Sequence, residues 1–188
     1  MLEAIKDCSA CRLCDNQRPL VDETCNPKVF WVGLSAKKIK SADERPLSSI
    51  TNSGRVIACV EEQVAEVSMY KTNLVKCLPL DERGKLRYPN KDEIRKCISN
   101  LDLEIALLSP SIVVLLGNKV IEAVGQYYEI PFDVWTDFDF KPKLHNNMYF
   151  VPVQHPSYVY VYKRRMLDDY IAALEAVIRR LTKKEESG

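Results

Sequence analysis

Four short runs of β-branched and aromatic residues alternate with stripes of helical period. This alternation limits what the chain can fold into more than any other feature. Lys28 to Leu34 (KVFWVGL), Tyr70 to Lys76 (YKTNLVK), Ile112 to Leu116 and Tyr149 to Val153 read as strands. Between the first two, Ile57, Val60, Val64 and Val67 recur at three- and four-residue steps, which predicts a helix over Arg55 to Val67 with Ser53 as N-cap. A second helix, about Asp92 to Leu108, carries Ile94, Ile98, Leu101, Ile105 and Leu108 on one stripe and is closed by Pro110. A short helix with Ile121 and Val124 follows Gly117-Asn118, and a last one runs from about Leu167 to Leu181. Ile112 to Leu116 is uniformly apolar, as expected of a strand covered on both faces. Each connection is long enough for a crossover. The prediction is an α/β fold, a four-stranded parallel sheet with helices on both faces. Residues 35–53 and 77–91 read as long loops, and 126–147 show no assignable period.

In such sheets, ligands bind just beyond the carboxyl ends of the strands. The segments to inspect are Gly33 to Lys38, Asn73 to Cys77, Gly117-Asn118 and Gln154 to Ser157. Asn73 offers a side-chain amide that donates and accepts at once, which suits the Watson–Crick edge of a base; the plain alternative is an asparagine closing a turn. His155 could donate to an oxygen on which negative charge develops; the plain alternative is a structural histidine.

The 188 residues are 46% hydrophobic and 28% charged, enough apolar surface for one compact domain, expected over residues 1–184 with 185–188 as a solvated tail. No apolar run approaches the ~20 residues a bilayer needs, and MLEAIKDC has no basic start or apolar stretch. A cytoplasmic protein without membrane contact is expected, and a monomer by default, since no repeat is visible. Net charge is +1, so any nucleic-acid site must come from local clustering of basic residues. Seven cysteines in a reducing compartment disfavour disulfides. Cys8, Cys11 and Cys14 bunch within seven residues, which suggests metal or cluster ligation.

The pattern CxxCRL, a strand ending in Val-Gly, TNLVKCLP, a cysteine on the next helix and then VPVQHPSY resembles the uracil-DNA glycosylase superfamily. It is most similar to the iron–sulfur branch, families four and five. The resemblance implies a three-layer α/β/α domain, a flipped nucleotide and hydrolysis of its N-glycosidic bond. It makes Asn73 the base-reading amide and His155 the group that stabilises negative charge on the departing base. It makes Cys8, Cys11, Cys77 and Cys97 the ligands of a 4Fe–4S cluster. Zinc also takes four thiolates, Cys77 and Cys97 could be core thiols, and Cys14 could replace Cys8 or Cys11. Cys25 and Cys59 have no assigned role. The segment between Cys77 and Cys97 is longer than usual for the family, as a loop insertion (DERGKLRYP) would explain.

The chain departs from the family after the first strand. Gly33, Leu34 and Ser35 are followed by Lys37, Lys38 and Lys40 where an acidic residue helps position water in the family. Asp43 and Glu44 come soon after and are the candidates for that role. Leu47 stands where an aromatic ring stacks on the flipped base. Ser48 to Gly54, with Ser53, supplies hydroxyls and N–H groups ahead of a helix, a candidate phosphate seat. Lys163, Arg164 and Arg165 follow HPSYVYVY and suggest phosphate contacts, single- or double-stranded, with a possible wedge among Tyr158, Tyr160 and Tyr162. The expectation is a DNA glycosylase that removes uracil or a modified base. The alternatives are a non-catalytic nucleic-acid-binding protein on the same fold, and a redox- or metal-sensing cysteine-cluster protein.

Overall fold

The computed structural model describes residues 2–41, 43–133 and 137–186. Five strands form one sheet in the order β2-β1-β3-β5-β4. β1 (Val29–Ser35), β2 (Met69–Val75), β3 (Ile112–Leu116) and β5 (Met148–Val153) are mutually parallel, as the alternation predicts. The fifth strand, β4 (Lys143–His145), is an antiparallel edge that the sequence did not disclose. Three polar or half-exposed residues carry no period. The hairpin depends instead on Asn146 and Asn147, both at positive φ (48° and 61°), the backbone of a tight two-residue turn.

Two single-turn helices, α1 (Glu3–Lys6) and α2 (Leu13–Asn16), precede the sheet. α3 (Asn52–Gln63) begins three residues before the predicted start. Its cap is Thr51, whose Oγ1 accepts from Gly54 N–H at 3.0 Å, and Ser53 is instead buried in the first turn. α4 (Lys91–Leu108) opens on a reciprocal capping box between Asn90 and Glu93. It ends at Ser109 in the left-handed region, just before Pro110. α5 (Asn118–Tyr128) follows Gly117, whose φ of 90° few other residues adopt.

α6 (Pro156–Tyr162) was missed, because the alternating VYVY hides helical period; Pro156 starts it at a position where no N–H is needed. A 3₁₀ turn over Arg164–Met166 leads into α7 (Leu167–Glu186), which runs past the predicted end at Leu181. Among the described residues, no helix is long and apolar enough to cross a membrane.

The sheet separates two apolar layers. Val29 and Trp31 of β1 pack with Val56, Ile57 and Val60 of α3 and with Tyr170, Leu174 and Ile178 of α7. Phe30 and Val32 point the other way, into Leu101 and Ile105 of α4 and Val120 and Val124 of α5. The carboxyl ends of the four parallel strands therefore open between two helical layers, an α/β/α sandwich.

Candidate active site

In the strand order β2-β1-β3-β5, the two central strands carry a glycine at their carboxyl ends, Gly33 within β1 and Gly117 just after β3, while Asn73 stands near the end of β2 and His155 two residues past β5. A Cβ built on Gly33 would lie 2.5 Å from Asn73 Oδ1 and 2.9 Å from Leu47 Cδ2. The missing methyl is therefore the room that the Asn73 amide and the Leu47 side chain occupy. On the next strand, a Cβ on Gly117 would meet the Cβ of His155 at 3.0 Å. Asn73 and His155 thus lean inward over the two glycines, from opposite flanks, and line one cavity of about 1010 Å³.

Asn73 is 3% exposed, and its side-chain amide opens on the cavity. There it is free to exchange water for a ligand that offers both a donor and an acceptor. Its backbone, by contrast, is firmly held: Lys76 Nζ donates to the Asn73 carbonyl at 2.8 Å. Lys76 also reaches Thr72 Oγ1 at 2.7 Å and Glu104 Oε2 at 2.6 Å, in a fully buried network behind the site.

His155 lies 2.8 Å, through Nδ1, from Ser157 Oγ. Burial first, and the nearby Lys37 charge second, hold its pKa below the ordinary histidine value. Both effects favour the neutral imidazole. Beside it, Gln154 donates through Nε2 to Asp137 O at 2.8 Å, while its buried Oε1 is without a partner among the described residues.

The cavity brings together Gly33, Leu34, Ser35, Glu44, Leu47, Ser53, Asn73, His155 and Lys163 of the predicted site. Leu47 reaches it from a strained backbone, at φ 52°. Glu44 Oε2 accepts from Lys40 N–H at 2.9 Å. Asp43 lines a neighbouring shallow pocket and not this cavity. Arg164 and Arg165 are exposed beside it, with the Arg164 guanidinium 4.3 Å from the Tyr160 ring centre. Leu86, Arg87, Tyr88 and Lys119 also line the cavity and were not anticipated. For Leu86, Arg87 and Tyr88 the signal was present in the DERGKLRYP insertion, which sequence reading registers only as extra length.

A third apolar cluster joins Leu13, Val75, Cys77 and Cys97, with Cys11 and Cys14 packed against it. Asn100 Nδ2 donates to Cys8 Sγ at 3.4 Å and to Cys97 Sγ at 3.7 Å, and Lys76 N–H donates to Cys97 Sγ at 3.4 Å. Burial, and then the neighbouring Cys97, Cys11, Cys14 and Cys8, push the Cys77 thiol up to about 12. Cys14 points its thiol to Cys11 O and toward the Asp15 carboxylate, surroundings that disfavour a thiolate. Among the described residues, no three His, Cys, Asp or Glu side chains close around a single ion. Cys25 and Cys59 are exposed, away from this cluster.

A family model described as the uracil DNA glycosylase superfamily matches residues 18–179. A curated relative, the type-4 uracil-DNA glycosylase of Sulfurisphaera tokodaii, is 28% identical over 126 residues. That match covers 62% of this chain and 54% of the relative, so the chain spans about half the relative's length. In structure, the chain is similar to wild-type Pedobacter heparinus SMUG2, with a TM-score of 0.52 and 14% identity over 86% of this chain and 78% of that one. The last likeness concerns the fold. The family model takes in all four parallel strands and both site-bearing flanks, and the chain belongs to the uracil DNA glycosylase superfamily.

Proposed function

We propose that this protein is a DNA glycosylase that draws uracil or a modified base out of DNA into the cavity and hydrolyses its N-glycosidic bond. One observation carries the reading. The Asn73 amide and the His155 imidazole, set over Gly33 and Gly117 on opposite flanks of the sheet, line one cavity.

Asn73 pairs with the base edge, donating through Nδ2 and accepting through Oδ1. Ser157 Oγ lies 2.8 Å from His155 Nδ1; in this reading the hydroxyl donates a hydrogen bond to Nδ1, and the ring proton sits on Nε2. Nε2–H then donates to a carbonyl oxygen of the base. As the bond between the sugar's anomeric carbon and the base nitrogen breaks, its electron pair moves into the base ring and the oxygen becomes anionic. The hydrogen bond strengthens with that charge, in the water-poor setting where it counts most. The nearby Lys37 ammonium favours the same anion. Water bonds to the anomeric carbon and gives up a proton, and the base leaves and is reprotonated. The product is an abasic site. In this reading Glu44 orients the water, which is supported by its place on the cavity wall and by the Lys40 N–H that holds one of its oxygens.

The gathering of thiols around Cys77 and Cys97 has the chemistry of a soft-metal centre, and it supports this part of the reading. Cys8, Cys11, Cys77 and Cys97 would hold a 4Fe–4S cluster, with zinc as the alternative occupant and Cys14 in the outer ring. The N–H groups of Asn100 and Lys76 already aim at two of the sulfurs, as a set of thiolates requires. When bound, the group supplies structure: it clips the N-terminal segment to the loop after β2 and to α4.

A second reading, a non-catalytic DNA-binding protein, is favoured by one feature. Glu44 is the single carboxylate among the described residues that line the cavity, and lysines follow β1. Single-turnover incubation with oligonucleotides carrying uracil, hypoxanthine or modified pyrimidines separates the two. An abasic product from any of them supports the glycosylase, and none from the whole panel supports the binding protein.

A further inference from the structure

The chain is nearly neutral, but its cavity is not. Lys37, Arg45, Arg87, Lys119 and Lys163 line it against Glu44. Arg45 and Arg87 are held in ion pairs with Asp22, Glu23 and Glu93, Lys37 and Lys119 are exposed, and Lys163 is half-buried over the Phe138 ring. The rim is also apolar. Of the nine large apolar side chains exposed among the described residues, five crowd this one mouth: Leu86, Tyr88, Tyr158, Val161 and Tyr162. Tyr88 is 70% exposed and Tyr162 75%. Concentrated apolar surface of this kind marks a binding site.

The two groups come from opposite layers of the sandwich. Tyr158, Val161 and Tyr162 stand on α6, which packs on α3 and α7, with the Tyr158 and Tyr162 rings 5.4 Å apart. Leu86 and Tyr88 stand on the 80–88 arm, which enters α4 on the other side, and Lys119 of α5 lies 5.0 Å from the centre of the Tyr88 ring.

The arm is built rather than loose. Leu80 and Leu86 pair across it, and Asp81 Oδ1 accepts from Arg83 N–H at 2.9 Å and Lys85 N–H at 2.8 Å. Gly84 takes the turn at φ 72°. Arg87 donates to Leu80 O at 2.9 Å and forks onto Glu93 at 2.6 and 2.8 Å. Nothing in the base-reading pair requires this bracing. It ties the backbone that carries the exposed Leu86 and Tyr88 to the Glu93 of the α4 capping box.

We propose that the 80–88 arm is a preformed stacking jaw. Opposite α6, it grips the unpaired nucleotides beside the target, so that the protein selects single-stranded over double-stranded DNA. The proposal rests on the glycosylase reading for its ligand and adds strand choice to it. Fixed rings collect stacking energy from bases whose faces are free, as in a single strand, whereas duplex faces are already stacked. The lysines neutralise the backbone that joins those bases.

The test is fluorescence anisotropy with the full chain, its metal centre loaded, on uracil-free oligonucleotides in single- and double-stranded form. The parent should bind the single strand more tightly. Tyr88→Ala should weaken single-strand binding about tenfold and duplex binding by much less, and Tyr88→Phe should retain it. Leu86→Ala gives a second, independent loss in the same direction. Tighter duplex binding by the parent, or equal or no loss on both DNAs for Tyr88→Ala, overturns the proposal; no loss on either leaves the arm as a site for a protein partner. Uracil cleavage without strand preference sinks the jaw and spares the glycosylase. Strand-selective binding without cleavage of any base does the reverse.

Discussion

Lys76→Met removes the cation at the centre of the buried network. The Lys76 ammonium uses all three protons, on Thr72, Asn73 O and Glu104, and neither charged side chain is more than 1% exposed. Glu104 would keep only the hydroxyls of Tyr70 (3.0 Å) and Thr72 (2.9 Å) around a buried charge. Stranding one member of such a pair costs about 3–5 kcal/mol, a large share of the roughly 5–15 kcal/mol that holds a domain folded. With a urea slope of about 2 kcal/mol per molar, the midpoint should fall by roughly 1.5–2.5 M. The assay is urea unfolding followed by the fluorescence of buried Trp31 and by circular dichroism, which must coincide for the arithmetic to hold. The double variant Lys76→Met/Glu104→Leu should recover to within about 1 kcal/mol of the parent, because both charges are gone. It should not recover cleavage, since the Asn73 carbonyl still lacks its donor. A single variant as stable as the parent, or a double variant no better than the single, refutes the reasoning.

Other consequences follow from the same geometry. Gly33→Ala should cut cleavage more than it cuts DNA binding, because its Cβ takes the space of Asn73 Oδ1; kcat and Kd measured on one preparation would check this. His155 has a folded pKa below its unfolded value of about 6.5, so the stability it contributes is whole above that value and is lost as pH falls toward the folded pKa. The parent should therefore lose stability on mild acidification more steeply than His155→Gln. With only two histidines in the chain, an NMR titration can follow His155 directly, and Lys37→Ala should raise its pKa. Cys77→Ser or Cys97→Ser should abolish iron and sulfide content, whereas Cys14→Ser should leave it near the parent's. A zinc-only protein purified without oxygen would replace the cluster by zinc.

The sheet was legible because its period is strong: KVFWVGL and IVVLL are written for burial on both faces, and helices with apolar stripes separate them. β4 was not legible, since its pairing comes from a turn and from the neighbouring β5 rather than from its own side chains. α6 was hidden for the opposite reason, an alternation in VYVY that imitates a strand while Pro156 and the packing on α3 decide for helix. Within the site, Asn73, His155 and Gly33 were visible as strand-end residues, and Gly117 only as the glycine that leads into a helix. The real office of the two glycines, clearing space under the two functional side chains, is a distance of a few ångströms that no spacing encodes. The arm was the least legible part. Its jaw depends on how Asp81, Arg87 and Glu93 brace one another, and those contacts form only after β2 and α4 are in place.

Single-turnover cleavage of uracil-containing single-stranded DNA, by the parent and by Asn73→Ala and His155→Ala, tests the convergence of amide and imidazole most directly. Abasic product from the parent, about a hundredfold slower formation by each variant and unchanged thermal midpoints are the expected result. Variants that cut as fast as the parent would contradict it.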